Sequence, residues 1–472
     1  MLHKRACLFI LCMTSILFVF TTAQGEIISV PDDFTTIQQG INNAVDGDTI
    51  LVNPGTYYEN INFSGKNITL TSHYIFSKNP DFIFDTVIDG STATNPYETS
   101  TVIFKNNETE QAILQGFTIK GGSGTRWVDP QYPAWTWFSG GGIFMYMASP
   151  TIKNNLITEN IIATSGSYGG LSGGGLLCFR GNPEISNNIV SHNEAEYGGG
   201  IVVDYSGAMI KNNIVAYNSA GLSYGGGGFY CIRNDTEPII IENNTIVYNH
   251  SDSNGGGIRM YSSSGYIRNC IVWGNTQNSG GTVHGGTNST ISYCDIDAVI
   301  SGIGNINEEP VFADTLFHLT EDSPCIDAGD PEFLYYDKED TGNPGFALYP
   351  AMGTITNDMG AYGGPGYFVP PLSDDDPPVI ENMNFRVFPN PFNNSTTISM
   401  SISCPLEFTE VTIYNMKGQL IQRLQSSLLH ENPIEITWNG RNSSNNMIAP
   451  GVYFVQAKSK NHLYTRKILK LE

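Results

Sequence analysis

The sequence predicts an all-β chain in two parts: a parallel β-helix solenoid behind a short capping helix, then a small antiparallel β-sandwich. Three observations carry the solenoid. Glycine runs end at Gly142, Gly175, Gly200, Gly228, Gly257 and Gly281, and a turn slot follows at Asn154, Asn187, Asn212, Asn243, Asn269 and Tyr293, after 12, 12, 12, 15, 12 and 12 residues. Five residues past the second position of that slot, Asn160, Asn193, Asn218, Asn249 or Asn275 closes the unit. Only the stretch from that Asn to the next glycine run changes length, between 4 and 12 residues, so the insertions all leave from one edge.

Each unit reads as three short strands. The first, such as Ile143–Met147 or Leu176–Arg180, follows the glycines. Side chains alternate across a strand. Ile143, Leu176, Ile201, Phe229 and Ile258 therefore form an inward file, while Phe144, Tyr146, Phe179, Asp204, Tyr230 and Arg259 face out. A bend at Ser149-Pro150 or Asn182-Pro183 leads to a second strand around Ile152, Ile185 or Ile210. An Asn-Asn pair then turns the chain, because Asn tolerates the left-handed backbone region. Stacking places Asn155, Asn188, Asn213 and Asn244 in one column whose amides can bond along it. Cys270 and Cys294 hold that slot in later coils, as stacked thiols close enough to oxidise. The third strand, such as Leu156–Thr158, leads to the variable stretch. Coils about 4.8 Å apart bury their apolar sides only against neighbours.

The flanks follow in order. Residues 1–25 read as a secretory signal: Lys4 and Arg5 precede the apolar run Ala6–Phe20, and Ala23 and Gly25 suit cleavage. Six cysteines remain after it, which is no disulfide framework in a chain this size. Residues 33–45 form an amphipathic helix capped by Asp33, with Phe34, Ile37, Ile41, Ala44 and Val45 on one face, over the open end of the solenoid. This N-terminal cap spans about 26–60, irregular strands continue to Lys120, and regular coils run from about 111 to 297. An irregular cover (305–364) and a Pro/Asp-rich linker (365–384) complete the first part. In 385–472 the glycine triplets vanish, and runs such as EVTIYNM, IEITW and GVYFVQA alternate with turn signals, as in an antiparallel sandwich.

The coils and their flanks, with "TIQQGINNAVDGDTILVNPGTYYENI" at the start and "SPCIDAGDP…NDMGAYGG" at the close, resemble right-handed parallel β-helix proteins of the pectin-lyase-like superfamily over about 26–365. The tail, with "FRVFPNPFNNST", "VTIYNMKGQLI", "APGVYF" and "TRKILKL", resembles the type IX secretion sorting domain, an Ig-like module. That second resemblance implies a Bacteroidota-like Gram-negative source, delivery to the cell surface or medium, and a partnership with the secretion machinery. Gly451, Tyr453, Lys467 and Lys470 are its candidate signal residues.

The superfamily's catalytic motifs occur only as fragments. Val283-His284-Gly285-Gly286 resembles a GHG element, Trp127-Val128-Asp129-Pro130 lacks the His of a WxDH segment, and Asp81–Asp85 resembles the DFIFG run of pectin esterases. His284 falls in an inward slot. Asp295 and Asp297 share a strand face, where paired carboxylates serve glycoside hydrolysis or hold Ca²⁺. The more informative region is a surface. Trp127, Tyr132, Trp135 and Trp137 crowd one loop (122–139), beside the loop 161–172 and an outward face bearing Tyr146, Phe179, Arg180, Asp204, Tyr205, Tyr230, Arg233 and Arg259. Aromatic rings stack on sugar faces, and Arg or Asp meets the hydroxyls. The alternative is that the loop folds down as its own small core. With 45 acidic and 23 basic residues the net charge is −22, which disfavours nucleic acid and suits Ca²⁺ at the surface. Binding of a polysaccharide is expected; the alternatives are a lyase (an Arg base and an acid-held Ca²⁺), a glycosidase, and a rigid adhesin or spacer.

Overall fold

A computed structural model describes residues 25–162, 170–234, 238–286 and 288–367, and within the tail 384–388, 390, 392–401, 408–415, 420–424, 434–443, 445–459 and 463–471. The signal segment up to residue 24, most of the linker (368–383) and part of the loop at 161–172 (163–169) lie outside the described residues.

Residues 27–296 form the solenoid, and its strands stack in parallel register. Val102, Ile143, Leu176, Ile201, Phe229, Ile258 and Val283 pair in succession. The middle five are fully buried, with Met145, Cys178, Val203, Cys231 and Met260 beside them in one continuous core. The inward file is as the alternation predicts.

Each regular coil carries four strands rather than three. One sheet follows the glycine runs (Ile143–Tyr146, Leu176–Phe179 and their equivalents), and we call it the glycine sheet. A bend sheet (Thr151–Lys153) and an asparagine sheet (Leu156–Thr158) come next. The fourth, the loop sheet, occupies the stretch of variable length: Thr136–Ser139, Gly170–Ser172, Glu194–Tyr197, Ser219–Gly225, His250–Asn254 and Thr276–Ser279. Its register slips between Ala195 and Tyr197 and again between Ser251 and Asn254. A strand that changes length from coil to coil keeps pairing only by bulging, so no fixed spacing marked it as a strand.

The corners explain the Asn pairs. Asn154, Asn187, Asn212, Asn243, Asn269 and Tyr293 all take φ between 50° and 55°. The next residue points inward. Asn155, Asn188, Asn213 and Asn244 form a ladder in which each Nδ2 donates to the Oδ1 of the next Asn at 3.0–3.1 Å. Each Oδ1 also accepts the backbone N–H of the Asn before it. The ladder ends on thiols: Asn244 N–H donates to Cys270 Sγ and Cys270 N–H to Cys294 Sγ, both at 3.4 Å. Both cysteines are buried and free. The closing residues Asn160, Asn193, Asn218, Asn249 and Asn275 build a second ladder of the same kind, at 2.9–3.0 Å. These amides are buried, and leaving one unpaired would cost about 1–3 kcal/mol.

At the N-terminal end the helix is shorter than expected, Ile37–Asn43. Thr36, not Asp33, caps it by accepting the Gln39 N–H, while Asp33 accepts the N–H of Ser29. Glu59 takes the N–H groups of Ile37 and Gln38, and Lys66 donates to the carbonyls of Ile41, Asn42 and Ala44. Opposite charges thus hold the two helix ends. Ile37, Ile41 and Ala44 enter the core, whereas Val45 lies past the helix and is exposed.

At the other end, Ala298 and Ile300 pack against the core, and Asn305 accepts the N–H of Cys294. Residues 311–366 then run back along the outside as a strap. Phe317, Leu319, Met359 and Ala361 cover Ile214, Val247 and Ile271 on the outer face of the asparagine sheet. The first Asn of each pair anchors the strap. Asn243 donates to Asp358 O and Gly360 O, Asn212 to Ala361 O and Gly363 O, and Asn187 to Gly366 O.

The tail has two antiparallel sheets. One holds Asn384–Phe388, Thr396–Ser401 and Ile434–Trp438; the other holds Leu420–Leu424, Phe408–Asn415, Gly451–Ser459 and Leu463–Lys470. Ile398 and Trp438 from the first meet Val411, Ile413, Val455 and Ile468 from the second in one core.

Candidate functional site

The aromatic loop is a β-hairpin. Gly124–Val128 pairs antiparallel with Thr136–Ser139, which continues into the loop sheet through Gly170–Ser172. Trp127 and Trp137 sit opposite each other, stacked at 6.2 Å. Trp127 Nε1 donates to Ser139 Oγ at 2.9 Å.

The hairpin folds over the outward face of the glycine sheet. Trp127 packs on Phe179 at 4.5 Å and on Tyr146 at 5.9 Å, and is only 9% exposed. Phe144, Leu177, Phe179, Val202 and Tyr230 are buried in the same cluster. The expected exposed aromatic surface is therefore corrected for Trp127, Phe179, Tyr230 and Asp204. Pairing with the loop sheet pulls the hairpin down, so these side chains form a second core outside the solenoid.

A cleft of about 450 Å³ remains beside this cluster. It is lined by Trp127, Tyr132, Trp135 and Trp137 of the hairpin and by Tyr197, Val202, Asp204, Tyr224, Tyr230, Arg233 and Tyr261 of the coils. Tyr132 and Trp135 are 50% and 55% exposed, Tyr224 and Tyr261 47% and 46%. Tyr197 stacks on Tyr224 at 5.2 Å and meets Trp137 at 6.1 Å. The sequence reading missed Tyr197 and Tyr224. Their signal was the Tyr directly before a glycine run in both EAEYGGG and LSYGGGG.

An ion cluster pins the hairpin tip. Arg233 Nε donates to Asp204 Oδ1 and Nη1 to Asp129 Oδ2, both at 2.8 Å, while Nη2 meets Asp204 Oδ2. Asp129 is fully buried and Asp204 is 5% exposed. Burial pushes the Asp204 carboxyl up to about 6, against the pull of Arg233. Burial works against the Arg233 charge, yet Asp204 and Asp129 raise its affinity for the proton. Tyr205 lies between two guanidinium groups, Arg180 at 5.2 Å and Arg233 at 4.4 Å, and its hydroxyl donates to Gln131. Arg259 lies 5.7 Å from the Tyr261 ring.

Other expectations separate from this site. His284 pairs in register with Arg259, not with Met260, so it occupies an outward slot. Thr282 takes the place of the last glycine in this coil, which moves the register by one residue. Asp295 and Asp297 do not share an open face. Asp295 is buried, accepts Glu308 N–H, and takes a hydrogen bond from Cys325 of the strap; burial raises its carboxyl to about 6. Burial also raises Asp297, at the end of the asparagine sheet. Among the described residues no three His, Cys, Asp or Glu side chains are grouped to hold a metal. The fragment Asp81–Asp85 is a short helix. In the tail, Tyr453 is buried beside Trp438 and donates to Ala449 O, and Lys470 is buried with Nζ on Leu471 O. Gly451 opens its strand opposite Lys470, and Lys467 pairs with Phe454.

Family models match both parts. Residues 60–237 match the right handed beta helix region, and residues 386–471 match the secretion system C-terminal sorting domain. No curated protein matches the chain. Among solved structures, PorZ of Porphyromonas gingivalis, an essential bacterial surface component of the type-IX secretion system, is 22% identical over 19% of this chain, with a TM-score of 0.16. Dimeric latent PorU from the same organism is 24% identical over 21%, with a TM-score of 0.17. The chain spans 12% and 10% of the lengths of these two proteins. Residues 60–237 are thus a right-handed β-helix region, and residues 386–471 a type IX secretion C-terminal sorting domain.

Proposed function

We propose that this protein is displayed on the cell surface or released, and that it binds polysaccharide in the aromatic cleft. One observation carries the reading: a 450 Å³ cleft walled by tryptophan and tyrosine on a face that the strap does not cover. That volume falls within the roughly 300–1,000 Å³ of ligand sites. Aromatic walls suit the apolar faces of pyranose rings, and the indole and phenol groups supply hydrogen bonds at their edges.

Binding is favoured over bond cleavage. Both oxygens of Asp204 are held by Arg233, which suits a clamp better than a proton donor. A glycan array with the full chain and with Trp135→Ala tests the reading. Binding that the substitution weakens is expected; an array on which the intact chain binds nothing would reject it. Export is tested separately. Deleting 385–472 should leave the protein in the periplasm, and normal display of the truncated chain would exclude the tail as the address. Gly451, Tyr453, Lys467 and Lys470 remain the residues proposed to carry that address.

A further inference from the structure

We infer that the cleft takes an uncharged polysaccharide and rejects polyuronates and other acidic polymers. This rests on reading the cleft as a glycan site. The cleft is lined by two charged side chains, Asp204 and Arg233, and they are bound to each other. Arg233 gives its remaining nitrogen, Nη1, to Asp129. Three of the five N–H groups of that guanidinium are therefore engaged by buried carboxylates, its charge is already matched, and an incoming carboxylate that competed for those groups would have to displace a buried partner. Breaking a buried, hydrogen-bonded ion pair is strongly unfavourable. The cluster also holds two carboxylates against one guanidinium, so it repels a further anion.

The other arginines of this face stand aside. Arg180 lies over Phe179 and Tyr205, and Arg259 turns towards the carbonyl of His284. Neither borders the cleft. What the cleft does offer is neutral. The rings of Tyr132, Trp135, Trp137, Tyr224 and Tyr261 line it. Such rings stack on uncharged sugar faces, and the phenol hydroxyls can bond sugar hydroxyls without a charge. At longer range the net charge of −22 opposes the approach of any polyanion.

The test uses the full chain against immobilised neutral polymers (β-glucan, mannan, xylan) and acidic ones (polygalacturonate, alginate), at low and at physiological salt. A neutral polymer should bind, its affinity should change less than about twofold with salt, and Trp135→Ala should weaken it about tenfold. Tighter binding of an acidic polymer, weakened by salt or by Arg180→Gln, would overturn the inference while leaving the cleft a glycan site. Binding to neither class would remove the underlying reading as well.

Discussion

The asparagine sheet and the glycine sheet belong to the same coils, yet their outer faces have opposite fates. The asparagine sheet turns Ile214, Val247 and Ile271 outward, and the strap seals them with Phe317, Leu319 and Met359. A pocket of about 130 Å³ remains there, beside Leu316, His318 and Tyr362. The glycine sheet turns out Phe144, Phe179 and Tyr230, and the hairpin covers only part of that face. The strap is tied mainly by neutral amides to backbone carbonyls, with one longer ion pair from Arg268 to Asp330 at 3.6 Å, whereas the hairpin tip is tied by buried charge. A face closed by many amide bonds is a structural seam. A face only partly covered by a paired hairpin, its tip resting on one ion cluster and half-exposed tyrosine and tryptophan at its rim, is suited to recognition.

Substitutions can break this contrast, and the largest effect belongs to the charged tie. Arg233→Met strands two buried carboxylates and should cost about 3–5 kcal/mol, measured as a fall in the denaturation midpoint. A negligible fall would show that the hairpin is not held by this cluster. Trp127→Ala should cost a similar 3–5 kcal/mol or so, because it empties the core beneath the hairpin. On the strap face, Asn243→Ala removes the bonds to Asp358 and Gly360 and should cost about 1–3 kcal/mol. Hydrogen exchange should rise over 357–366 while glycan binding stays unchanged; a loss of binding would mean that the two faces are coupled.

Acidity sharpens the contrast further. Burial holds the folded carboxyl of Asp204 near 6, above its value in the unfolded chain. Its contribution to stability is therefore full below the unfolded value, near 3.8, and is lost as pH rises through about 6. Asp204→Asn should flatten the stability profile across that interval, and an unaltered profile would discount this carboxyl. The smallest expected change is at Trp135, which is exposed. Trp135→Ala should leave stability within about 0.5 kcal/mol and act on ligand affinity alone.

The inward file and the first Asn ladder were legible because their spacing is nearly constant from Gly142 to Asn269. The second ladder was equally present in the residues, at Asn160 through Asn275, but a closing Asn reads as a turn until stacking is considered. The fourth strand was hidden because it varies in length. His284 was misplaced by one residue because Thr282 stands where a glycine was expected. The strap's contacts join residues more than 100 apart, such as Asn243 and Asp358, and no local period announces them. For the cleft, sequence identified the tryptophans and left open whether the loop stands out or folds down as a small core; that Trp127 is buried while Trp135 is exposed depends on hairpin pairing.

The amide ladders also bear on the size of the molecule. Each Asn is satisfied by the coil before it and the coil after it, so nothing in the ladder counts rungs. Duplicating one complete coil would extend the rod by about 4.8 Å without leaving an amide unpaired. The length of the solenoid is thus a quantity that selection can adjust in even steps, independently of the aromatic cleft.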